Sequence, residues 1–122
     1  MSSWNLIKKS PIPQLKNPLF IGGLPGIGNV GKVSIDFMID ELNAVKAYEI
    51  TSSSFPHSVF VNEKSLVELP TVEIYYKKMK HRDLMFMGGD VQPIDEMGCY
   101  NFSNNVLDLL HAHHVHDLIT LG

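Results

Sequence analysis

Residues 19–32 read LFIGGLPGIGNVGK, an apolar run that leads into a glycine-rich turn. The run up to Gly22 predicts a buried strand, and the glycines around Pro25 predict a tight turn. A helix is predicted from about Asn29 to Asn43, because apolar residues recur there at three- and four-residue spacing. We expect one apolar face on this helix, formed by Val30, Val33, Phe37, Met38 and Leu42. A strand, a turn and a helix in this order are typical of an α/β protein.

The apolar spacing of the remaining residues predicts an α/β protein along the whole chain. Helical spacing predicts a second helix through Phe102, Val106, Leu109, Leu110 and His113. A hairpin is predicted from residues 58–62 and 65–69, and further strands at 44–51, 71–79, 83–87 and 116–121. The inserted hairpin favours a mixed, partly parallel sheet over a purely parallel one.

The pattern also predicts how the chain is organised. Residues 1–17 contain Pro11 and Pro13 and predict an extended lead-in, whereas residues 18–122 predict a single α/β domain. Residues 117–122 predict a further buried strand, but two helices are few for so many strands. We therefore expect either a partner chain over the sheet or the N-terminal part of a longer fold, and we favour the second.

Composition excludes several classes of function. The 122 residues carry 10 Lys and Arg against 13 Asp and Glu, a net charge of −3. A dedicated nucleic-acid binder needs a basic surface, so nucleic acid is not an expected partner. The single Cys excludes an intrachain disulfide. Neither a membrane span nor a secretory signal is predicted, so we expect a cytoplasmic protein without a membrane partner.

The glycine-rich turn contains Gly-x-Gly-x-x-Gly at Gly26, Gly28 and Gly31. After a strand and before a helix, this spacing is typical of dinucleotide-binding turns, and Glu49 lies at about the expected distance for a ribose contact. The same glycines also pack strands against helices where no ligand is bound. A P-loop is not expected, because Val33 stands where a Ser or Thr would hold magnesium.

A second loop, at residues 88–93, also follows a predicted buried strand. Ligands of open α/β sheets bind at the carboxyl ends of the strands, so we expect this loop and the glycine turn to line one crevice. Around Pro25 we expect a crevice for an anion or small ligand, lined by Gly26, Gly28, Asn29, Gly31, Lys32, Asp90 and Gln92. No catalytic set accompanies these residues.

Four histidines lie close together near the C-terminus, at His111, His113, His114 and His116. His111 and His114 have the spacing of two metal ligands on a helix, but neither a further acid nor a Cys completes the set. A polar helix end is the favoured interpretation, and no metal or other cofactor is predicted.

Several segments in this order resemble one family, the proteasome assembly chaperone two family in its archaeal or bacterial form. The segments are the turn at 19–32, Phe55-Pro56, Leu69-Pro70, Glu73-Ile-Tyr-Tyr76, Arg82-Asp-Leu84, Gly88-Gly-Asp-Val-Gln-Pro93, Tyr100 and Leu118–Gly122. The resemblance covers about residues 18–122. It implies a three-layer α/β/α sandwich similar to that of the purine nucleoside phosphorylase group. Family members are usually about twice this length.

The resemblance also implies a function. It implies a chaperone that acts without ATP and binds proteasome α subunits or a related chaperone subunit, and it implies self-association into a homo-oligomer. The partner surface is expected to use exposed aromatic residues, namely Phe55, Tyr75 and Tyr76. The alternative from the residues alone is a nucleotide- or small-ligand-binding enzyme that uses the glycine turn.

Overall fold

The computed structural model describes residues 4–23, 30–52, 60–61, 67–68, 71–89 and 96–121. The elements in chain order are β1 (Trp4–Lys8), β2 (Leu19–Gly22), α1 (Val30–Leu42), β3 (Val45–Ser52), β4 (Phe60–Val61), β5 (Val67–Glu68), β6 (Val72–Lys77), β7 (Leu84–Gly89), α2 (Glu96–Ala112) and β8 (Asp117–Thr120). Strands β4 and β5 form the predicted hairpin as a separate antiparallel pair.

Six strands form one mixed sheet in the order β1-β3-β6-β7-β2-β8. Strands β7, β2 and β8 are parallel to one another, whereas β6 is antiparallel to β7, β3 to β6, and β1 to β3. The predicted α/β fold with a mixed, partly parallel sheet is therefore confirmed. Among the described residues, no helix is both long and apolar enough to cross a bilayer.

Helix α2 covers one face of the sheet. Its apolar residues recur at positions 102, 106, 109 and 110, and all four are buried, as the spacing predicted. They pack on the side chains of Phe20, Tyr48, Ile50, Val72, Ile74, Met85 and Met87. This cluster is the main core of the described structure.

Helix α1 covers the opposite face. A Cβ atom on Gly88 would lie 3.0 Å from Cγ2 of Ile35, so α1 lies over Gly88, whereas its neighbour Met87 points into the core under α2. The buried residues of α1 are Gly31 and Ile35. The predicted apolar face is therefore not the buried one, because three of its residues, Val30, Val33 and Phe37, are 62%, 62% and 63% exposed.

Glycine explains which face of α1 is buried. A Cβ atom on Gly23 would lie 2.5 Å from the carbonyl oxygen of Gly31, and one on Gly31 would overlap the carbonyl oxygen of Leu121. The backbone of α1 therefore approaches the sheet more closely than a bulky side chain would allow. The glycine side of the helix faces the sheet, and the larger Val and Phe side chains face outward.

The N-terminal segment contains a strand that the sequence pattern did not predict. Strand β1 pairs along β3, with Trp4 opposite Ser52 and Lys8 opposite Tyr48. Farther along, the buried carboxylate of Asp83 accepts the backbone N–H of Lys16, and the backbone N–H of Leu19 donates to the carbonyl of Asp83 at 3.0 Å. These bonds hold the segment between β1 and β2 against the start of β7.

Strand β8 lies at the opposite edge of the sheet and pairs with β2. The predicted strand is present, and all four of its residues are exposed in the described structure. Its predicted burial under a partner chain or a longer fold stays a prediction. Leu118 is 52% and Ile119 46% exposed. The helices lie over the inner strands, so an apolar edge strand stays open to solvent.

Candidate functional site

An open pocket of about 310 Å³ lies between α1 and the sheet. Strand β7 ends in this pocket at Gly88 and Gly89, and β6 forms its floor. It therefore lies at the edge where the parallel strands end, the edge at which α/β proteins bind ligands. The residues that line it are Lys32, Asp36, Ile39, Asp40, Glu73, Tyr75, Gly88 and Gly89.

One flank of α1 forms the wall of the pocket. Lys32, Asp36 and Asp40 follow one another at four-residue spacing, which places their side chains along one side of the helix. The Nζ atom of Lys32 lies 2.7 Å from Oδ2 of Asp36. Among the described residues, no cation lies within ion-pair distance of Asp40. The charge of Asp40 is therefore available to an incoming group.

Residues Glu73 and Tyr75 of β6 form the floor. They alternate with the core residues Val72 and Ile74, so both side chains face α1. The hydroxyl of Tyr75 donates to Oε1 of Glu73 at 3.4 Å. Burial, with the nearby charge of Glu73, raises the pKa of Tyr75, so its hydroxyl stays protonated as a donor at neutral pH.

An ion-pair network continues from this floor across β3. Nζ of Lys46 lies 2.5 Å from Glu73 and 3.2 Å from Glu49, and Nζ of Lys9 lies 3.4 Å from Glu49. Burial lowers the pKa of Lys46, but the two carboxylates outweigh this effect and raise it above its ordinary value. Burial alone would raise the pKa of Glu49, but the two lysines outweigh the effect of burial, so this pKa is lowered. The network holds the Glu73 side chain in position beside Lys46.

The pocket carries more negative than positive charge. Asp36, Asp40 and Glu73 contribute three carboxylates against the one ammonium group of Lys32. Such a lining favours a cation over a phosphate or another anion. None of these three acids was predicted as a site residue, although the spacing of Lys32, Asp36 and Asp40 is the signal that marks one flank of a helix.

The structure describes two of the residues predicted for the ligand crevice. Lys32 lines the pocket, whereas Gly31 is buried at the close approach of α1 to the sheet. The others lie outside the described residues, namely Pro25, Gly26, Gly28, Asn29, Asp90 and Gln92. Gly22 and Met87 are partners in adjacent parallel strands, so the two loops leave the sheet at one edge. The crevice itself stays a prediction.

The position of Glu49 does not fit a dinucleotide site. In that motif the strand carrying the acidic residue lies beside the strand that enters the glycine turn. Here β7 and β6 lie between β2 and β3. Glu49 instead pairs with Lys9 and Lys46.

The residues predicted for a partner surface separate in the fold. Tyr75 lies in the pocket under α1, whereas Tyr76 packs against the core cluster on the α2 side, and its hydroxyl donates to the carbonyl of Pro11 at 3.3 Å. Both are half-buried. They lie on opposite faces of β6 and do not form one patch, and Phe55 lies outside the described residues.

The histidines near the end of α2 have different surroundings. His111, His114 and His116 are exposed, whereas Nε2 of His113 lies 2.8 Å from the hydroxyl of Tyr48. Burial, together with the electrostatic effect of Lys8 and His114, lowers the pKa of His113. Within the part of the chain that the structure describes, no three His, Cys, Asp or Glu residues lie together as metal ligands.

The apolar surface of α1 faces away from the sheet. Val30, Val33 and Phe37 form a stripe on the exposed side of the helix, which we call the α1 stripe. Contiguous apolar surface of this kind is typical of a contact with another polypeptide. The sequence showed these residues as an apolar face, but periodicity does not tell a core face from an interface.

The comparisons with known proteins agree with this fold. The sequence profile of the PAC2 family matches residues 20–122. The chain belongs to the PAC2 family. This finding confirms the resemblance inferred from the glycine turn and the segments that follow it.

Among solved structures, this PAC2 chain is similar to Pyrococcus furiosus PbaB, described as an archaeal proteasome activator. The two share 35% identity with a TM-score of 0.90, over 98% of this chain and 51% of PbaB. Pyrococcus furiosus PbaA, described as an archaeal homolog of proteasome-assembly chaperone, is 20% identical with a TM-score of 0.66, over 96% of this chain and 47% of PbaA. The likeness to PbaA shows the fold alone.

An uncharacterized protein of Methanocaldococcus jannaschii is 27% identical over 115 residues, which are 94% of this chain and 44% of that protein. The chain thus spans about half the length of the relatives it matches.

Proposed function

We propose that this chain acts on proteasome assembly or activation as a cytoplasmic binding protein that needs no ATP. Its partners would be proteasome α subunits or a related chaperone subunit. The observation that carries the proposal is the similarity to PbaB, at 35% identity and a TM-score of 0.90. The family match over residues 20–122 supports the same class of partner.

The described surface supports binding rather than catalysis. Three large apolar residues of α1 are more than half exposed, and partner contacts of proteins are typically built on such clusters. The pocket beside them is lined by three carboxylates, which repel the phosphates of a nucleotide. Glu49 lies in a strand that does not adjoin β2, so we do not propose the alternative of a nucleotide-binding enzyme that uses the glycine turn.

We also propose that the chain forms a homo-oligomer. The two edges of the sheet, β1 and β8, both expose apolar residues, namely Leu6, Ile7, Leu118 and Ile119. Exposed apolar strand edges pair readily with further strands. Light scattering after size-exclusion chromatography tests this point, and a monomer at every concentration tested contradicts it.

Native mass spectrometry tests the partner. The protein is mixed with proteasome α subunits from the same organism, with and without ATP. A complex that forms equally well in both samples supports the proposal. A complex that requires ATP contradicts the ATP-independent mechanism, and a nucleotide adduct without an α-subunit complex contradicts the function as a whole.

A further inference from the structure

The α1 stripe and the acidic pocket are neighbours on one helix. Side chains three and four positions apart adjoin each other on a helix surface. Val33 therefore adjoins Asp36, and Phe37 adjoins Asp40. The stripe thus borders the acidic wall of the pocket without an intervening row of residues.

We propose that α1 is a docking element for a protein segment that presents a Lys or Arg side chain next to apolar ones. The apolar residues of the segment would pack on the α1 stripe, and its basic side chain would enter the pocket. This inference rests on the proposed function, because it describes the partner's contact chemistry. The proposal assigns one partner segment to both the α1 stripe and the pocket.

The pocket is large enough to admit a Lys or Arg side chain. Its volume of about 310 Å³ lies at the lower end of the range of about 300–1,000 Å³ for small-molecule sites. Ile39 provides an apolar wall for the aliphatic stem of Lys or Arg, and the ring of Tyr75 offers a surface to a cation.

The charges of the pocket suit a basic side chain. Glu73 is held from one side by Lys46, and Asp36 by Lys32, while Asp40 has no cation partner within the described ranges. A guanidinium group has donors for more than one carboxylate, so Arg is the better occupant of the two. An acidic segment would lie beside the carboxylate of Asp40 and be repelled.

Peptide probes test the proposal on the intact protein. The probes are short fluorescein-labelled helical peptides, rich in leucine, that differ at one central position, which is Arg, norleucine or Glu. Fluorescence anisotropy at low and high salt gives their dissociation constants. We expect the Arg peptide to bind about tenfold more tightly than the Glu peptide, with a smaller difference at high salt.

Variants separate the two parts of the surface. Asp40→Asn should weaken binding of the Arg peptide about fivefold and leave the norleucine peptide unchanged. Phe37→Ser should weaken both peptides about tenfold, because the stripe contacts both. Asp108→Asn, at an exposed position on α2, is the matched control and should change neither. Circular dichroism confirms that each variant is folded.

Four outcomes overturn the proposal. The role of the pocket is contradicted if all three peptides bind with equal affinity. It is also contradicted if Asp40→Asn keeps full affinity for the Arg peptide. The absence of any peptide binding removes the docking role. A Phe37→Ser variant that loses its oligomeric state while wild type binds no peptide assigns the stripe to a second copy of the chain.

The same variants distinguish this inference from the proposed function. If α subunits bind Phe37→Ser and Asp40→Asn as tightly as wild type, the inference fails and the proposed function stands. If α subunits do not bind wild type but the Arg peptide binds with the expected selectivity, the proposed function fails and the docking chemistry stands.

Discussion

Replacement of Asp83 by Asn should destabilise the fold in a pH-dependent way. The Asp83 side chain is fully buried, and its carboxylate accepts the backbone N–H groups of Lys16 at 2.5 Å and Met79 at 2.9 Å. Nζ of Lys78 donates to it at 2.8 Å. An Asn side chain has one acceptor oxygen instead of two, so its NH₂ group would face one of these donors and leave it unsatisfied.

The pKa of Asp83 sets the size and the pH range of the effect. Burial raises this pKa, but the bonds from Lys78, Lys16 and Met79 outweigh burial and lower it from 3.8 to about 2. At about 1.4 kcal/mol per pKa unit, the ionised carboxylate contributes about 2 kcal/mol to stability at neutral pH. Because the folded pKa is the lower one, this contribution is present above pH 3.8 and is lost as the pH falls towards 2.

Urea unfolding followed by circular dichroism measures the effect. We expect Asp83→Asn to lower the free energy of unfolding by about 2 kcal/mol at neutral pH, and by progressively less as the pH falls below about 4. Asp108→Asn is the control and should stay within about 0.5 kcal/mol of wild type. A loss below about 0.5 kcal/mol at neutral pH, or a loss that does not change with pH, refutes the reasoning.

Three further predictions use the same unfolding measurement. The pKa of His113 is lowered in the folded state, so its neutral ring contributes stability above about pH 6.5, and this contribution is lost at lower pH. His113→Gln should therefore make the free energy of unfolding depend less on pH in this range. An unchanged pH dependence contradicts this prediction. Tyr48→Phe removes the hydrogen bond to His113 and should lower the free energy of unfolding by about 1 kcal/mol. This loss should exceed that of Tyr76→Phe, because the hydrogen bond from Tyr76 to Pro11 is exposed to solvent. Gly31→Ala should cost about 1–3 kcal/mol because the new Cβ overlaps a backbone carbonyl, whereas Ser34→Ala on the same helix should be neutral or stabilising.

Local patterns predicted most of the secondary structure. Both helices, the hairpin and the strands β2, β3, β6, β7 and β8 lie where apolar spacing and glycine turns indicated. These signals are local, because a helix or a strand must repeat its apolar residues at its own period. Strand β1 was not predicted, because its pairing with β3 joins residues 40 to 48 positions apart.

The candidate site was predictable only in part. The sequence indicated the edge of the sheet at which the pocket lies, and Lys32, which lines the pocket. It did not indicate Asp36, Asp40 or Glu73, because acids on a helix flank and on a strand are ordinary solvent-facing residues until the fold brings them together. The charge of the pocket, and hence the class of group it favours, follows from this proximity.

The sequence by itself determined the family, the α/β class and the position of the glycine turn, because each of these depends on residue identities close together in the chain. The tertiary structure decided which face of α1 is buried. Apolar spacing marked Val30, Val33 and Phe37, but the close approach of Gly31 and Gly23 turned the glycine side of the helix to the sheet. The orientation of α1 about its own axis depends on packing between segments that are distant in the sequence. This orientation exposes the α1 stripe, on which the proposed docking surface depends.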